Sequence, residues 1–111
     1  MSDMNYIGAL VKILETPKQK FINSNTLVVK FRVQLPQIRK IRTVELVFWG
    51  NLAQSVFNYY KVNDYILIEG YISFRESDSL NKNKTLKKVT ITVSKVYPFL
   101  LNYKRSMNKL S

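Results

Sequence analysis

Flat aromatic rings set among fixed positive charges are the groups in this chain best suited to chemistry, and that chemistry is polyanion recognition rather than bond making. Eighteen Lys and Arg stand against seven Asp and Glu in 111 residues, a net charge of +11 with a pI of about 10.0, and aromatics make up 13%. Cations grip a phosphate chain and aromatic faces stack on unpaired bases. The combination therefore favours nucleic acid over two plainer explanations, a solubilising charge excess and an anionic membrane surface. The pattern concentrates around Trp49, the single tryptophan, with Lys30, Arg32, Arg39, Lys40 and Arg42 upstream of it.

Other chemistry is disfavoured by what the composition lacks. Without Cys or His there are no disulfides, no thiolate or imidazole metal sites, and no acid-base or nucleophilic scheme that uses either residue. The carboxylates Glu15, Glu45, Glu69, Glu76, Asp3, Asp64 and Asp78 show neither paired nor metal-ligand spacing. The expectation is a binding protein, not an enzyme, with no cofactor and no metal. No apolar run approaches the ~20 residues that cross a bilayer. Met1-Ser2-Asp3-Met4-Asn5 lacks the basic-then-apolar layout of a signal peptide, so a soluble, intracellular protein without a membrane partner is expected.

The elements that must position these groups are five strands and a helix. Tyr6 to Leu14 reads as a first strand, with a bend expected at Gly8 and an end at Glu15-Thr16-Pro17. Thr26 to Gln34 alternates cleanly: Leu27, Val29, Phe31 and Val33 on one face, Val28, Lys30, Arg32 and Gln34 on the other. Arg39, Lys40 and Arg42 crowd the following loop. Thr43 to Trp49 forms a third strand, with Val44, Leu46 and Phe48 facing the core and Glu45, Val47 and Trp49 facing away. Large aromatics more often pack in a core or a subunit contact, but here the opposite parity already supplies the core, which leaves Trp49 for stacking.

Asn51 is placed to cap a short helix through Tyr60, with Gln54 completing a capping box. Leu52 with Val56 and Ala53 with Phe57 give that helix an apolar side, and Tyr59 and Tyr60 are expected to pack. After a Lys61-Val62-Asn63-Asp64 turn, the strand Tyr65 to Arg75 places Ile66, Ile68 and Ile72 on one face and Tyr71 on the other. Phe74 has core parity unless the strand bends near Gly70. Ser77 to Lys84 reads as a hairpin loop. The fifth strand, Leu86 to Tyr97, has Val89, Ile91, Val93 and Tyr97 on a core face interrupted only by Lys95, and Pro98 is expected to end it. Three strands, a helix and two strands is the order of an all-β OB-fold, a five-stranded Greek-key barrel with its helix between the third and fourth strands. The barrel is expected over residues 1–98, with a short basic tail over 99–111. A five-stranded SH3-like barrel requires no such helix.

The segments Trp49-Gly50-Asn51-Leu52-Ala53 and Ile68-Glu69-Gly70, with Met4-Asn5 and Gly8-Ala9-Leu10 before them, resemble the bacterial type of single-stranded-DNA-binding protein across about Met4 to Tyr97. Pro17-Lys18-Gln19-Lys20-Phe21 is similar to a family motif but lacks its acidic residues. The resemblance implies sequence-tolerant single-stranded DNA binding in replication, recombination or repair, and a homo-oligomer, dimer or tetramer. It makes Trp49 the stacking residue and Tyr71 and Phe74 secondary ones. Lys30, Arg32, Arg39, Lys40 and Arg42 would hold phosphates, with Arg75, Lys87 and Lys88 extending the track. The family's further tryptophans would fall near Arg39, Thr43 and Ser77, none of them aromatic here, so charge must contribute more than stacking. Glu45 opposes a phosphate track unless it pairs with Lys30 or Arg32.

The basic end, Lys104 to Ser111, carries no acidic tip of the kind that recruits repair proteins in that family. A short form without such a tip is similar to proteins encoded in algal plastid genomes, which implies a plastid, with the bacterial cytoplasm or nucleoid as the alternative. Two other functions fit the same fold: a primosomal or RNA-binding OB protein, and a protein-interaction module whose charge is incidental.

Overall fold

Alternating apolar residues build a barrel with a second strand pattern hidden in the first loop. In the computed structural model, which describes residues 5–35, 44–78 and 85–101 and only the backbone of 75–78 and 85–87, six strands and a helix follow one another. They are β1 (Tyr6–Ile13), β2 (Lys18–Ile22), β3 (Thr26–Gln34), β4 (Val44–Trp49), α1 (Gly50–Tyr59), β5 (Tyr65–Asp78) and β6 (Thr85–Leu100). The sheet order is β1-β5-β6-β4-β3-β2, and β1 also pairs with β3, so five strands close on themselves and β2 is an outrigger on β3. Only β4 and β6 run parallel among the described pairs. This is the expected all-β OB-fold, with α1 between its third and fourth barrel strands.

The sequence predicts five strands; β2 is the sixth. Lys18, Lys20 and Ile22 alternate with Gln19 and Phe21, and Asn23 and Ser24, at φ 55° and 59°, turn the chain back so that Ile22 faces Thr26. Phe31 and Phe48 stack in the core, ring centroids 5.3 Å apart, among Val29, Leu46, Ile66, Ile68 and Ile91. Each such side chain contributes about 1.5–3 kcal/mol by leaving water. Helix α1 closes the barrel with Ala53 and Val56, both fully buried, and half-buried Leu52 and Phe57 beside them. Tyr60 is buried and Tyr59 half-buried, their rings edge to face at 4.9 Å, which agrees with the packing expected of both.

Three local expectations are corrected. The N-cap is Trp49, in extended conformation and with no side-chain cap bond, so Asn51 sits inside the first turn and no capping box forms. The cause is Gly50, whose φ of +63° starts the helix two residues earlier than expected. At Gly8 the pairing with β5 runs without a register break, and a Cβ there would meet only ordinary contacts. The irregularity lies at Gly70 instead: Glu69 pairs with Lys95 and Gly70 with Val93, which leaves Ser94 as an extra residue. A Cβ on Gly70 would stand 2.3 Å from the Thr92 carbonyl oxygen, so only glycine permits the approach.

That bulge inverts the parity of everything after it. Lys95 turns outward, which removes the interruption in the core face. Val96 takes the inward place opposite Ile68, and Tyr97, expected in the core, is 46% exposed opposite Leu67. A second register shift, between Tyr65 and Ile66, carries β6 through Pro98 to Leu100, past the expected end. The Asn63-Asp64 turn is fixed to β1: Asn63, at φ 75°, donates its N–H to the Ile13 carbonyl, and Ile13 donates to the Asp64 carbonyl, each at 2.9 Å. The buried Asp64 carboxylate accepts the Lys61 N–H at 2.8 Å.

Candidate nucleic-acid interface

Cross-strand partners share a sheet face, so the registers assemble the outer surface row by row. One row runs Lys18–Lys30–Val47–Thr92–Tyr71–Tyr6 across β2, β3, β4, β6, β5 and β1. Beside it lies Lys20–Val28–Trp49, and on the other side Arg32–Glu45–Thr90–Ser73. A groove of about 300 Å³ follows these rows, lined by Lys30, Glu45, Val47, Trp49, Lys88 and Thr90 among others. Its floor is apolar: Val28 and Val47 are 1% and 6% exposed although both belong to the outer face.

Trp49 stands at one end of this groove, 46% exposed. The Gly50 turn presents it, because the chain leaves β4 immediately after the tryptophan. Beyond the groove's Thr92, in the same row as Val47, Tyr71 is exposed, and the Tyr6 ring meets it edge-on at 4.8 Å. The Tyr6 hydroxyl lies 3.0 Å from Glu69 Oε1 and 2.9 Å from Ser94 Oγ, which itself donates to the Glu69 carbonyl at 3.1 Å. Tyr6 is thereby fastened at the bulge and steadies Tyr71.

The cations differ in their partners. Among the described residues no carboxylate pairs with Lys30, which faces Lys18 directly across β2 and β3. Like charges in register destabilise a sheet unless an anion relieves them. Arg32 is held by Glu15: Nε lies 3.1 Å from Oε1, and the Arg32 backbone N–H donates to Oε2 at 2.9 Å. Burial of Glu15 raises its carboxyl pKa, but the Arg32 backbone N–H and guanidinium, helped by Lys18, outweigh that and hold it below the ordinary carboxylate value. Glu45 pairs neither with Lys30 nor with Arg32 but with Lys88, at 3.5 Å.

Trp49, Lys30, Arg32, Tyr71 and Lys88 thus share one face. Phe74 keeps the inward parity opposite Val89, yet it is 61% exposed, on the length of β5 beyond the core. Arg75 and Lys87 are placed by backbone alone, opposite Lys88 and Glu76. Arg39, Lys40 and Arg42 lie outside the described residues. Lys18, Lys20 and Tyr6 join the face without having been singled out in the sequence. The two-residue period of Lys18, Lys20 and Ile22 is the signal that finds the first two.

Comparison with known proteins agrees with this fold. The ycf41 protein of Trieres chinensis, named provisionally as a single-stranded DNA-binding protein, is 36% identical over 104 residues, 89% of this chain and 92% of its own length. The SSB domain of a Synechococcus sp. protein superposes with a TM-score of 0.66 at 22% identity, covering 87% of this chain and 98% of that one. A small single-stranded DNA-binding protein from Streptomyces coelicolor gives 0.67 at 16% identity, over 95% and 99%. With the model of the single-strand binding protein family matching residues 4–99, a span that holds the barrel, the Trp49 groove and both bulges, the chain belongs to that family.

Proposed function

We propose that the outer face binds single-stranded DNA with little sequence preference, bases stacking on Trp49 and Tyr71 and phosphates lying along Lys18, Lys20 and Lys30. The observation that carries this reading is the row in which Lys18 faces Lys30 beside Trp49 over an apolar floor. That arrangement has an electrostatic cost in the free protein, which a phosphate between the two ammonium groups relieves. Stacking on a described aromatic is worth about 1–3 kcal/mol per base. The paired cations Arg32 and Lys88 are the second tier, since a phosphate must compete with Glu15 or Glu45 for them. Arg39, Lys40, Arg42 and Arg75 extend the track in this reading, while Lys87 and Phe74, at the parity of Val89, would serve only a strand that wraps past the edge of this face.

The process served is replication, recombination or repair of DNA, by binding and not by catalysis. The likeness to the ycf41 protein and to plastid-encoded proteins supports a plastid location. A homo-oligomer is supported by the outward side of β1, β5 and β6 past the bulge, where Leu67, Tyr97 and Leu100 leave apolar surface exposed.

Trp49 makes the test direct, because all indole fluorescence comes from one residue. Oligo-dT is expected to quench it, with log affinity falling against log salt at a slope of about −0.7 per phosphate contacted. Trp49→Ala is expected to lose roughly 1–3 kcal/mol of binding. Unquenched fluorescence together with full affinity in that variant removes Trp49 from the site.

A further inference from the structure

Glu45 is an anion on a face that gathers phosphates, and its surroundings say what it does there. Its side chain is only 21% exposed, and one oxygen, Oε1, is 3.5 Å from Lys88 Nζ. Arg32, directly opposite Glu45 in the β3–β4 register, is drawn away to Glu15 and does not neutralise it. The groove therefore holds a carboxylate with acceptor capacity left over, next to an ammonium donor, bordered by Thr90. Four residues along β4 separate Glu45 from Trp49, roughly 13 Å at strand rise, so the two meet different nucleotides.

Resting on the single-strand reading above, we propose that Glu45 and Lys88 read the Watson–Crick edge of one base and favour guanine over thymine. Guanine offers two adjacent donors, N1–H and the N2 amine, which match the two carboxylate oxygens, and its O6 accepts from Lys88. Thymine offers one donor between two carbonyl oxygens, so a carboxylate that reaches N3–H also meets a repelling oxygen. Cytosine presents an amine but no second donor and falls between. Partial burial strengthens such a hydrogen bond and raises the penalty for a mismatched edge. The face is sequence-tolerant where it stacks and selective at this one position.

The test compares oligo-dT with the same oligomer carrying guanine, or hypoxanthine, at every third position. Hypoxanthine keeps the purine stacking surface and N1–H but lacks the N2 amine. The guanine oligomer is expected to bind about fivefold tighter or more than oligo-dT, with hypoxanthine intermediate. Glu45→Gln, which replaces one acceptor oxygen by an amine, is expected to bring all three within about twofold of each other while oligo-dT still binds. Equal affinities of the unaltered protein for the three oligomers overturn the proposal. So does an E45Q variant that strengthens every oligomer by one factor and keeps the guanine preference, since Glu45 is then only a repelling charge. Failure to bind oligo-dT at all overturns the single-strand reading itself, and is told apart because the oligo-dT arm contains no guanine.

Discussion

The β5–β6 ladder carries two outward surfaces of opposite character, divided at the Gly70–Ser94 bulge. On the hairpin side Thr92, Thr90 and Lys88 line the groove; on the other side Lys95 is followed by Tyr97 and Leu100, beside Leu67. One extra residue makes the difference. Without it Tyr97 would point into the barrel and Lys95 with it, and the apolar outer patch would lose its tyrosine. A single bulge thus gives one strand pair two outward surfaces, a basic groove and, past the bulge, an exposed apolar patch.

The strongest way to break that division is Gly70→Ala. The added methyl would overlap the Thr92 carbonyl, so β6 must move or the bulge must be lost. A loss of about 3 kcal/mol is expected in denaturant unfolding, at the upper end for an overpacked site. A midpoint unchanged from the unaltered protein would show that the two halves are not held apart by this contact. Tyr97→Ser should act on one half only: self-association in sedimentation weakens about tenfold or more, as for an interface aromatic, while oligo-dT affinity stays. If DNA binding falls with association, the two surfaces are one site.

The smallest expected effect concerns the basic half and pH. Glu15 has a folded pKa below its unfolded value, so its stabilisation is fully present above the unfolded carboxylate pKa of about 4.3 and is lost as pH falls through the folded value. Acid titration of thermal stability should show a step below pH ~4 that Glu15→Gln removes. Its size should stay under about 1 kcal/mol, because the Arg32 partner is well exposed. A step of the same size in the variant would assign it to other carboxylates.

Most of the barrel was legible in the sequence because period two at 26–34 and 43–49 leaves one parity for the core. Trp49 was legible for the same reason. The two misreadings in β6 share a physical cause: Tyr97 and Lys95 follow from counting twos through Ser94, and a bulge adds one to the count without leaving a mark except Gly70. Lys18 and Lys20 were passed over because a five-residue strand hung on the barrel's edge buries little, so its hydrophobic pattern is weak. The Glu45–Lys88 pair could not be read at all, since it depends on β4 lying beside β6.

That parallel seam has a consequence for how the protein assembles. Val44 pairs with Val89 and Val47 with Thr92, residues far apart in the chain, whereas β2–β3, β3–β4 and β5–β6 each pair strands that are consecutive in the sequence. Loop-closure entropy opposes the distant pairing most, so the β2–β3–β4 and β5–β6 units precede it and the seam is slow to zip. Lys30 and Trp49 arrive on one piece, Tyr71 and Lys88 on the other. On the binding reading proposed above, a strand of nucleic acid laid across both would find its full site only in the zipped barrel, and by mass action it would work as a clasp against reopening.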